Sequence, residues 1–276
     1  MRAKKSLGQH FLKSERALLA IVKAGSVNAE DTILEIGPGT GVLTEKLLAA
    51  SCQVLAIEKD DKLYEFLKTK FEKEIKNGKL RLIHDDILEF DLSKLTASTY
   101  KLVANIPYNI TGAILKKFLG ADYQPETMVL LVQKEVAERI TGRPLGGSAS
   151  KWGKESILSI SVKAYGTPRY IETVKAGSFV PMPSVDSAII VIENISKNFF
   201  FTPPSSGGAG FTEKEFFNTV RTGFKSKRKK LSSNLSTIFT KNKVQEAFQK
   251  LSLDDNLRAE DAGIETWGKL VSALSN

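Results

Sequence analysis

Short apolar runs alternate with helix-like stretches through the first two-thirds of the 276-residue chain. The runs are almost continuously apolar, which is typical of parallel strands covered on both faces. They are Thr32–Gly37, Gln53–Glu58, Lys79–Asp85, Lys101–Ile106 and Met128–Gln133. The intervening stretches that predict helices are Thr40–Ala50, Asp60–Lys76 and Ile110–Leu119. This alternation predicts an α/β fold with an open, doubly wound sheet.

The pattern changes towards the C-terminus. Tyr170–Lys175 and Ser187–Asn194 lie too close together for a normal helix between them, so they predict an antiparallel hairpin at the sheet edge. Phe201–Gly210 is dense in Pro, Ser and Gly and predicts a flexible linker. Phe211–Asn276 has helical spacing without good strand runs. We therefore predict an α/β domain over 1–198, a linker over 199–210 and a helical domain over 211–276. A Gly- and Ser-rich loop, Gly142–Gly153, is predicted to be mobile.

Several classes of protein are excluded or disfavoured by composition. The single cysteine, Cys52, cannot form an intramolecular disulfide, and two histidines, His10 and His84, argue against a structural zinc site. No apolar run approaches the roughly 18 residues of a membrane span. Charged residues interrupt any signal-peptide apolar region at Lys13, Glu15, Arg16 and Lys23. These features predict a soluble, cytoplasmic protein that needs no metal.

The charge balance favours a polyanionic partner. Lysine and arginine number 40 against 31 aspartate and glutamate residues, giving a net charge of +9. Six candidate RNA-binding residues lie within one acid-free stretch: Arg221, Lys225, Lys227, Arg228, Lys229 and Lys230. A second group near the N-terminus comprises Arg2, Lys4, Lys5, Lys13 and Arg16. Either group alone could be a solvated face, but two such groups in one chain favour contacts with phosphates.

The segment Glu35–Gly41 (EIGPGTG) lies where the first strand gives way to a helix. Its glycines let the backbone turn sharply beside a ligand. Its spacing is G-x-G-x-G rather than the dinucleotide G-x-G-x-x-G, and Pro38 offers no N–H to a pyrophosphate. A glycine-rich turn also occurs for purely structural reasons. The motif therefore needs support from other residues.

Acidic residues at the next two strand ends provide that support. Glu58 ends the second strand, where a carboxylate can bind both hydroxyls of a ribose. Asp86, or its neighbour Asp85, ends the third strand and could accept from an adenine amino group. Each acid alone is equally compatible with a structural role. Together with the glycine turn they predict an adenosine ligand without phosphates, and S-adenosylmethionine is such a ligand.

The segment Asn105–Tyr108 (NIPY) follows the fourth strand at the same edge of the sheet. The Asn105 side-chain oxygen and a backbone carbonyl fixed by Pro107 could accept both N–H groups of an exocyclic amine, aiming the nitrogen lone pair at a methyl sulfonium. Tyr108 could stack on an extruded base. Catalysis would then depend mainly on proximity and orientation. An Asn-Pro turn is otherwise a common loop.

Six segments occur in an order that resembles the rRNA adenine N6-dimethyltransferase family. They are Ser6–Leu12 (SLGQHFL), Glu35–Gly41, Glu58, Asn105–Tyr108, Gln133–Ile140 (QKEVAERI) and Phe179–Ala188 (FVPMPSVDSA). The resemblance covers nearly the whole chain. Within the family, Val220–Leu235 and Arg258–Glu260 resemble the C-terminal domain of the bacterial small-subunit (16S) branch, which is linked to kasugamycin sensitivity.

The resemblance implies a Rossmann-like fold of seven strands with the last pair reversed, and a small helical domain. It implies S-adenosylmethionine contacts at His10, Leu12, Gly37, Glu58, Asp86 and Asn105. It also makes Phe179 a second stacking face opposite Tyr108, although the residue pattern alone favours a core aromatic. The implied reaction converts two adjacent adenosines near the 3′ end of 16S rRNA to N6,N6-dimethyladenosine. The implied partner is this rRNA within the small ribosomal subunit or its precursor, bound by a monomer.

The sequence leaves three alternative functions open. A large-subunit rRNA dimethyltransferase conferring macrolide resistance shares the cleft motifs, but Val220–Leu235 argues against it. A non-catalytic RNA-binding assembly factor or transcription factor could use the same fold, but the intact EIGPGTG, Glu58 and NIPY argue for chemistry. DNA adenine methylation fits the F-x-P-x-P segment less well. The Gly142–Gly153 loop, with Trp152 where the family usually has Tyr, departs from the family pattern.

Overall fold

The computed structural model describes residues 8–95, 97–142, 153–201 and 210–275. These residues form two compact units. The first unit runs up to Ala137 and also includes Thr167–Ile195. The second comprises Glu138–Gly166 and the chain from Ser196 onward. No helix in the described part of the chain is long and apolar enough to span a lipid bilayer.

The first unit is built on a seven-stranded mixed sheet. The strands among the described residues are β1 (Phe11–Leu12), β2 (Thr32–Ile36), β3 (Gln53–Glu58), β4 (Leu80–His84), β5 (Lys101–Asn105), β6 (Thr127–Gln133), β7 (Thr167–Val174), β8 (Phe179–Val180) and β9 (Ser187–Glu193). The large sheet has the order β4-β3-β2-β5-β6-β9-β7. Strands β2 to β6 are parallel, and β9 is antiparallel to both of its neighbours. The predicted α/β sheet and its antiparallel edge are confirmed.

Helices connect and cover these strands. In the described residues they are α1 (Glu15–Ala24), α2 (Val42–Ala49), α3 (Asp61–Lys70), α4 (Glu72–Lys76), α5 (Thr111–Leu119), α6 (Lys134–Thr141), α7 (Ile157–Lys163), α8 (Asn198–Phe201), α9 (Glu213–Gly223), α10 (Leu231–Leu235), α11 (Lys241–Lys250) and α12 (Ile264–Ser275). The central strands are apolar on both faces because helices cover both; Leu102, Val103 and Ala104 of β5 are all buried.

The single helix predicted over Asp60–Lys76 is wrong, because the structure has two helices there. Asp60 caps α3 by accepting from Lys62 N at 2.9 Å. Phe71 interrupts the helical run with φ −110° and ψ 26°. Its ring is buried against the backbone of Gly41, so packing with the glycine turn determines the break.

A second sheet of two strands ties the N-terminal segment to a distant loop. In it β1 pairs antiparallel with β8, and Leu12 lies opposite Phe179. The sequence pattern did not predict this pairing, because two-residue strands carry no periodicity. The pairing brings Gly8–Leu12 to the carboxyl edge of the large sheet.

An aromatic cluster forms the core of the second unit. Its rings are Tyr165, Phe199, Phe200, Phe211, Phe216 and Phe217. The Tyr165 hydroxyl donates to Glu213 at 2.6 Å, and Glu155 N donates to Glu260 O at 2.8 Å. These contacts group 138–166 with the C-terminal helices, whereas the sequence pattern assigned that segment to the α/β domain. The boundaries at 198 and 211 stay a prediction, and most of the predicted linker (202–209) and of the Gly142–Gly153 loop (143–152) lies outside the described residues.

Candidate active site

A cavity in the first unit opens at the carboxyl ends of β2, β3, β4 and β5. Its lining comes mainly from Gly8–Leu12, Glu35–Thr40, Ile57–Lys59, Asp85–Leu88 and Asn105–Ile110. The carboxyl ends of neighbouring parallel strands meet at one edge, which is where open α/β sheets bind ligands. The fold thereby brings together every cofactor residue expected from the sequence, with Pro107 and Tyr108 beside them.

The glycine turn between β2 and α2 forms one wall. Gly37 has φ +64° and donates from its N–H to Ile57 O at 2.9 Å. A Cβ placed on Gly37 would meet no heavy atom within 4 Å, whereas one on Gly41 would lie 2.5 Å from the Phe71 ring. Gly41 is therefore required by packing. Gly37 instead leaves open space in the cavity wall that a ligand can approach closely.

The Glu58 carboxylate joins two backbone segments at the end of β3. Its Oε2 accepts from Gly39 N at 3.1 Å, and its Oε1 accepts from Asp60 N at 2.9 Å. Burial raises the pKa of Glu58. Each oxygen of an ionised carboxylate can accept more than one hydrogen bond, so both retain capacity for ribose hydroxyls. Glu58 can thus bind a ligand and also fix the glycine turn.

Asp85 and Asp86 both line the cavity. Side-chain alternation along a strand would let only one of two neighbouring acids face the cavity, but both of these follow the end of β4 at His84. Asp86 Oδ1 accepts from Leu88 N at 2.9 Å, and its Oδ2 pairs with Lys59 Nζ at 2.6 Å. Burial opposes ionisation of Asp86, but the hydrogen bonds from Lys59 and Leu88 N, together with the nearby lysine charges, outweigh it and lower the pKa of Asp86. Asp86 is therefore a charged acceptor at the cavity wall.

Glu35 is a cavity residue that the sequence analysis named only as the start of a motif. Its side chain is 1% exposed, and its Oε2 has no hydrogen-bond partner among the described residues. Burial raises the pKa of Glu35 to about 8. An acid inside the apolar strand TILEI was the available signal. An orphaned polar atom in a cavity wall is suited to a ligand that carries hydrogen-bond donors.

Asn105 ends β5, and the fold orients its side-chain amide. Asn105 Nδ2 donates to His10 O at 3.1 Å, which leaves Oδ1 as the acceptor of the amide. Pro107 follows with φ −54° and ψ 131°, and its carbonyl accepts from Ile110 N at 3.1 Å. The NIPY segment therefore presents a fixed acceptor at the carboxyl edge of the sheet.

Tyr108 lies in a single 3-10 turn, Tyr108–Ile110, before α5. Its hydroxyl lies 2.7 Å from Ser187 Oγ. The His10 ring stacks on it with a centroid distance of 5.8 Å and an interplanar angle of 21°. His10 Nδ1 in turn donates to Pro181 O at 2.8 Å. Burial raises the pKa of the Tyr108 hydroxyl, so the phenol stays neutral at physiological pH.

Phe179 does not line this cavity. Its side chain is 2% exposed and packs in the hydrophobic core with Leu12, Leu18 and Val174. Its ring therefore offers no accessible face for an adenine in this arrangement, and the stacking role implied by the family resemblance stays a prediction. The exposed apolar side chains of the same segment are Val180, Met182 and Val185.

The six candidate RNA-binding residues lie in the second unit, around the turn that joins α9 to α10. All six side chains are exposed, and none forms an ion pair within the described part of the chain: Arg221, Lys225, Lys227, Arg228, Lys229 and Lys230. The buried Asn234 side chain fixes the turn by donating to Gly223 O at 2.6 Å and Ser226 O at 3.1 Å. We call residues 221–230 the basic turn. It is an ordered, unneutralised positive surface.

The N-terminal basic group is only partly described. Arg2, Lys4 and Lys5 lie outside the described residues, and Arg16 pairs with Glu172 at 3.1 Å. Its predicted phosphate contacts stay a prediction. The described residues contain no group of three or more His, Cys, Asp or Glu side chains that could hold a metal ion.

Comparisons with known proteins show which family the chain belongs to. The family model for ribosomal RNA adenine dimethylase matches residues 1–276. Ribosomal RNA small subunit methyltransferase A of Dehalococcoides mccartyi is 40% identical over 274 residues, covering 98% of this chain and 88% of the relative. A dimethyladenosine transferase structure from Plasmodium falciparum is 25% identical, with a TM-score of 0.74 over 95% of this chain and 96% of that chain.

The fold is also that of the 23S rRNA methyltransferase ErmE, with a TM-score of 0.75 and 22% identity over 96% of this chain and 100% of that chain. This likeness confirms the Rossmann-like methyltransferase fold, and it does not identify the substrate. The match to the family model extends over the whole sequence. The chain therefore belongs to the ribosomal RNA adenine dimethylase family, and it is an enzyme of the methyltransferase class.

Proposed function

We propose that this enzyme dimethylates the N6 amines of two adjacent adenosines near the 3′ end of small-subunit (16S) rRNA, with S-adenosylmethionine as the methyl donor. The observation that carries the proposal is the position of Asn105. Its amide is oriented by the bond to His10 O, and Asn105 lines the same cavity as Glu58, so an amine acceptor and a ribose acceptor belong to one site. The small-subunit substrate rests on the full-length likeness to the Dehalococcoides relative. We further propose that it acts as a cytoplasmic monomer.

The residues present fit S-adenosylmethionine. Gly37 leaves room at the wall, and Glu35 holds a carboxyl oxygen that no described residue hydrogen-bonds, which suits a donor-bearing ligand. Glu58 would bind the ribose hydroxyls and Asp86 the adenine amino group, with His10 and Leu12 completing the wall. When bound, this cofactor supplies an electrophilic methyl group on a sulfonium.

Asn105 and Tyr108 perform the positioning that the reaction needs. The adenine N6 lone pair is delocalised into the purine, so the amine is a weak nucleophile. Asn105 Oδ1 and a backbone carbonyl beside Pro107 accept its two N–H bonds and orient the lone pair out of the ring plane. Tyr108 stacks on the extruded base. The methylated nitrogen is acidic while it carries positive charge, so its proton passes to water and no protein base is required.

The basic turn would bind rRNA phosphates. Exposed lysine and arginine side chains that lack acidic partners are free to replace counterions on a polynucleotide. Such contacts position the RNA and do not select the adenine. Selection of the base would therefore depend on the cavity, and selection of the subunit on the shape of the RNA.

The decisive experiment supplies the purified enzyme with 30S and 50S subunits that lack N6,N6-dimethyladenosine. Mass spectrometry of nuclease digests should find two dimethylated adenosines in 16S rRNA and none in 23S rRNA. An Asn105→Ala variant is the matched catalytic control. Methylation of 23S rRNA alone would indicate a large-subunit enzyme. RNA binding without methyl transfer would indicate an assembly factor.

A further inference from the structure

Ser187 is a buried polar residue to which the reaction described above gives no role. It is the first residue of β9 and is 0% exposed. Its backbone is fixed on both sides, since it lies opposite Gln133 in β6 and Val174 in β7. Its hydroxyl therefore occupies a rigid position. The partner of that hydroxyl is Tyr108, with 2.7 Å between the two oxygens.

Tyr108 needs such a partner because its own backbone gives it little restraint. It starts a 3-10 turn of three residues rather than a long helix, and its side chain is only half-buried. The His10 ring stacks against one face, so a base can use only the other. A hydrogen bond at the far end of the ring fixes the plane in which that second face lies.

Burial makes this hydrogen bond difficult to replace. Ser187 is inaccessible to solvent, so water cannot readily substitute for the Tyr108 hydroxyl there. The neutral phenol can donate to Ser187 Oγ. The contact thus joins β9, which is paired on both sides within the sheet, to an aromatic ring in the cavity.

We propose that Ser187 is a positioning residue, which orients the Tyr108 ring for stacking on the target adenine. This inference rests on the proposed stacking role of Tyr108. Loss of the Ser187 hydroxyl should leave the cofactor site and the RNA-binding surface intact. It should slow the chemical step, because the Tyr108 ring would then be less well oriented for the extruded base to stack on it.

A double-mutant cycle tests the proposal with Ser187→Ala, Tyr108→Phe and the double variant. Each single variant should lower kcat on 30S subunits roughly 2- to 12-fold, the kinetic equivalent of one net hydrogen bond. The double variant should lose no more than the worse single variant. KM for the subunits and S-adenosylmethionine affinity by calorimetry should stay within about twofold. Multiplicative losses in the cycle would overturn the inference.

A second pair of variants separates the hydroxyl from packing. Ser187→Thr keeps the hydroxyl, whereas Ser187→Val has nearly the shape of threonine but no hydroxyl. Only the Thr variant should therefore retain kcat. Equal kcat in both variants would contradict a positioning role. Thr173→Val is the matched control, since it removes a hydroxyl that lies 2.6 Å from Tyr170 on β7, and it should leave kcat unchanged.

The failure of this inference and the failure of the proposed function can be told apart. If Tyr108→Ala methylates 30S subunits at the full rate, the stacking role itself is wrong. If Tyr108→Ala is impaired but Ser187→Ala keeps the full kcat, only the positioning role of Ser187 is wrong.

Discussion

At the scale of single residues, substitutions at Tyr108 can distinguish a stacking role of its ring from an acid–base role of its hydroxyl. Tyr108 lines the cavity, and its neutral hydroxyl is hydrogen-bonded to Ser187. Stacking on a base is worth about 1–3 kcal/mol by alanine substitution. We therefore expect Tyr108→Ala to lower kcat/KM on 30S subunits about ten- to a hundred-fold, and Tyr108→Phe to lower it only by the roughly 2- to 12-fold of one lost hydrogen bond. Equal inactivity of both variants, with cofactor binding intact, would show that the hydroxyl is essential.

Glu35 makes stability depend on pH in an unusual direction. Burial raises its pKa from 4.5 to about 8, so the folded state retains a proton that the unfolded state releases. Between those two values the unfolded state binds fewer protons, and stability falls as pH rises, by up to roughly 1.4 kcal/mol per pH unit. Urea unfolding from pH 5 to 8 should show this slope. The isosteric Glu35→Gln variant should show a flatter one; an unchanged slope would contradict the assignment.

Glu58 should control cofactor affinity. Hydrogen bonds to a charged group contribute about 1.5–3 kcal/mol, so Glu58→Ala should weaken S-adenosylmethionine binding at least tenfold. The same change leaves the N–H groups of Gly39 and Asp60 without their acceptor, so thermal melting must show that the variant is folded. Glu45→Ala, which removes an exposed acid paired with Lys70, is the control that should bind normally. Native affinity in a folded Glu58→Ala protein would refute the ribose role.

At the scale of elements, the β2–α2 turn combines a packing requirement with a ligand requirement. Gly41 has φ +77° and no room for a Cβ against Phe71, whereas Gly37 has φ +64° and open space. Left-handed backbone costs an L-residue about 1–2 kcal/mol at either position. Gly41→Ala adds a clash to that cost, so its melting temperature should fall further than that of Gly37→Ala.

The same pair should reverse its order in cofactor binding. Gly37→Ala places a methyl group in the cavity, so calorimetry should show the larger loss of S-adenosylmethionine affinity for this variant. Gly41→Ala should bind more nearly normally below its melting temperature. If the same variant showed the larger loss in both melting temperature and S-adenosylmethionine affinity, the separate packing role of Gly41 and ligand role of Gly37 would be wrong.

At the scale of the whole molecule, the net charge of +9 matters through where it is placed. The basic turn carries exposed cations that are unpaired within the described residues, so phosphate contacts there should govern the salt dependence of RNA binding. Neutralising Lys227, Arg228, Lys229 and Lys230 should reduce that slope by roughly 0.7–0.9 for each lost contact. Cofactor affinity should not change.

The control for net charge is a variant with four exposed lysines of α3 and α4 neutralised: Lys62, Lys68, Lys73 and Lys76. Filter binding of 16S rRNA at several salt concentrations compares the two variants. If both lower the slope equally, the effect belongs to overall charge and the basic turn is only a solvated surface.

The pattern of apolar runs is enough to predict the sheet and the edge at which the cavity lies. Parallel strands buried on both faces must be continuously apolar, so β2 to β6 are visible as runs. Their carboxyl ends must share an edge, so the sequence predicts that the acids and the amide that follow those runs lie close together. Gly37, Glu58, Asp86 and Asn105 do line one cavity.

Features that depend on contacts between distant segments of the chain follow from the fold and not from the sequence pattern. The pairing of β1 with β8, the burial of Phe179 and the bond from Tyr108 to Ser187 join residues far apart in the chain. Periodicity reports which face of its own element a residue lies on, and it carries no information about which distant segment covers that face. The raised pKa of Glu35 has the same origin, because desolvation is produced by the atoms packed around a carboxyl group.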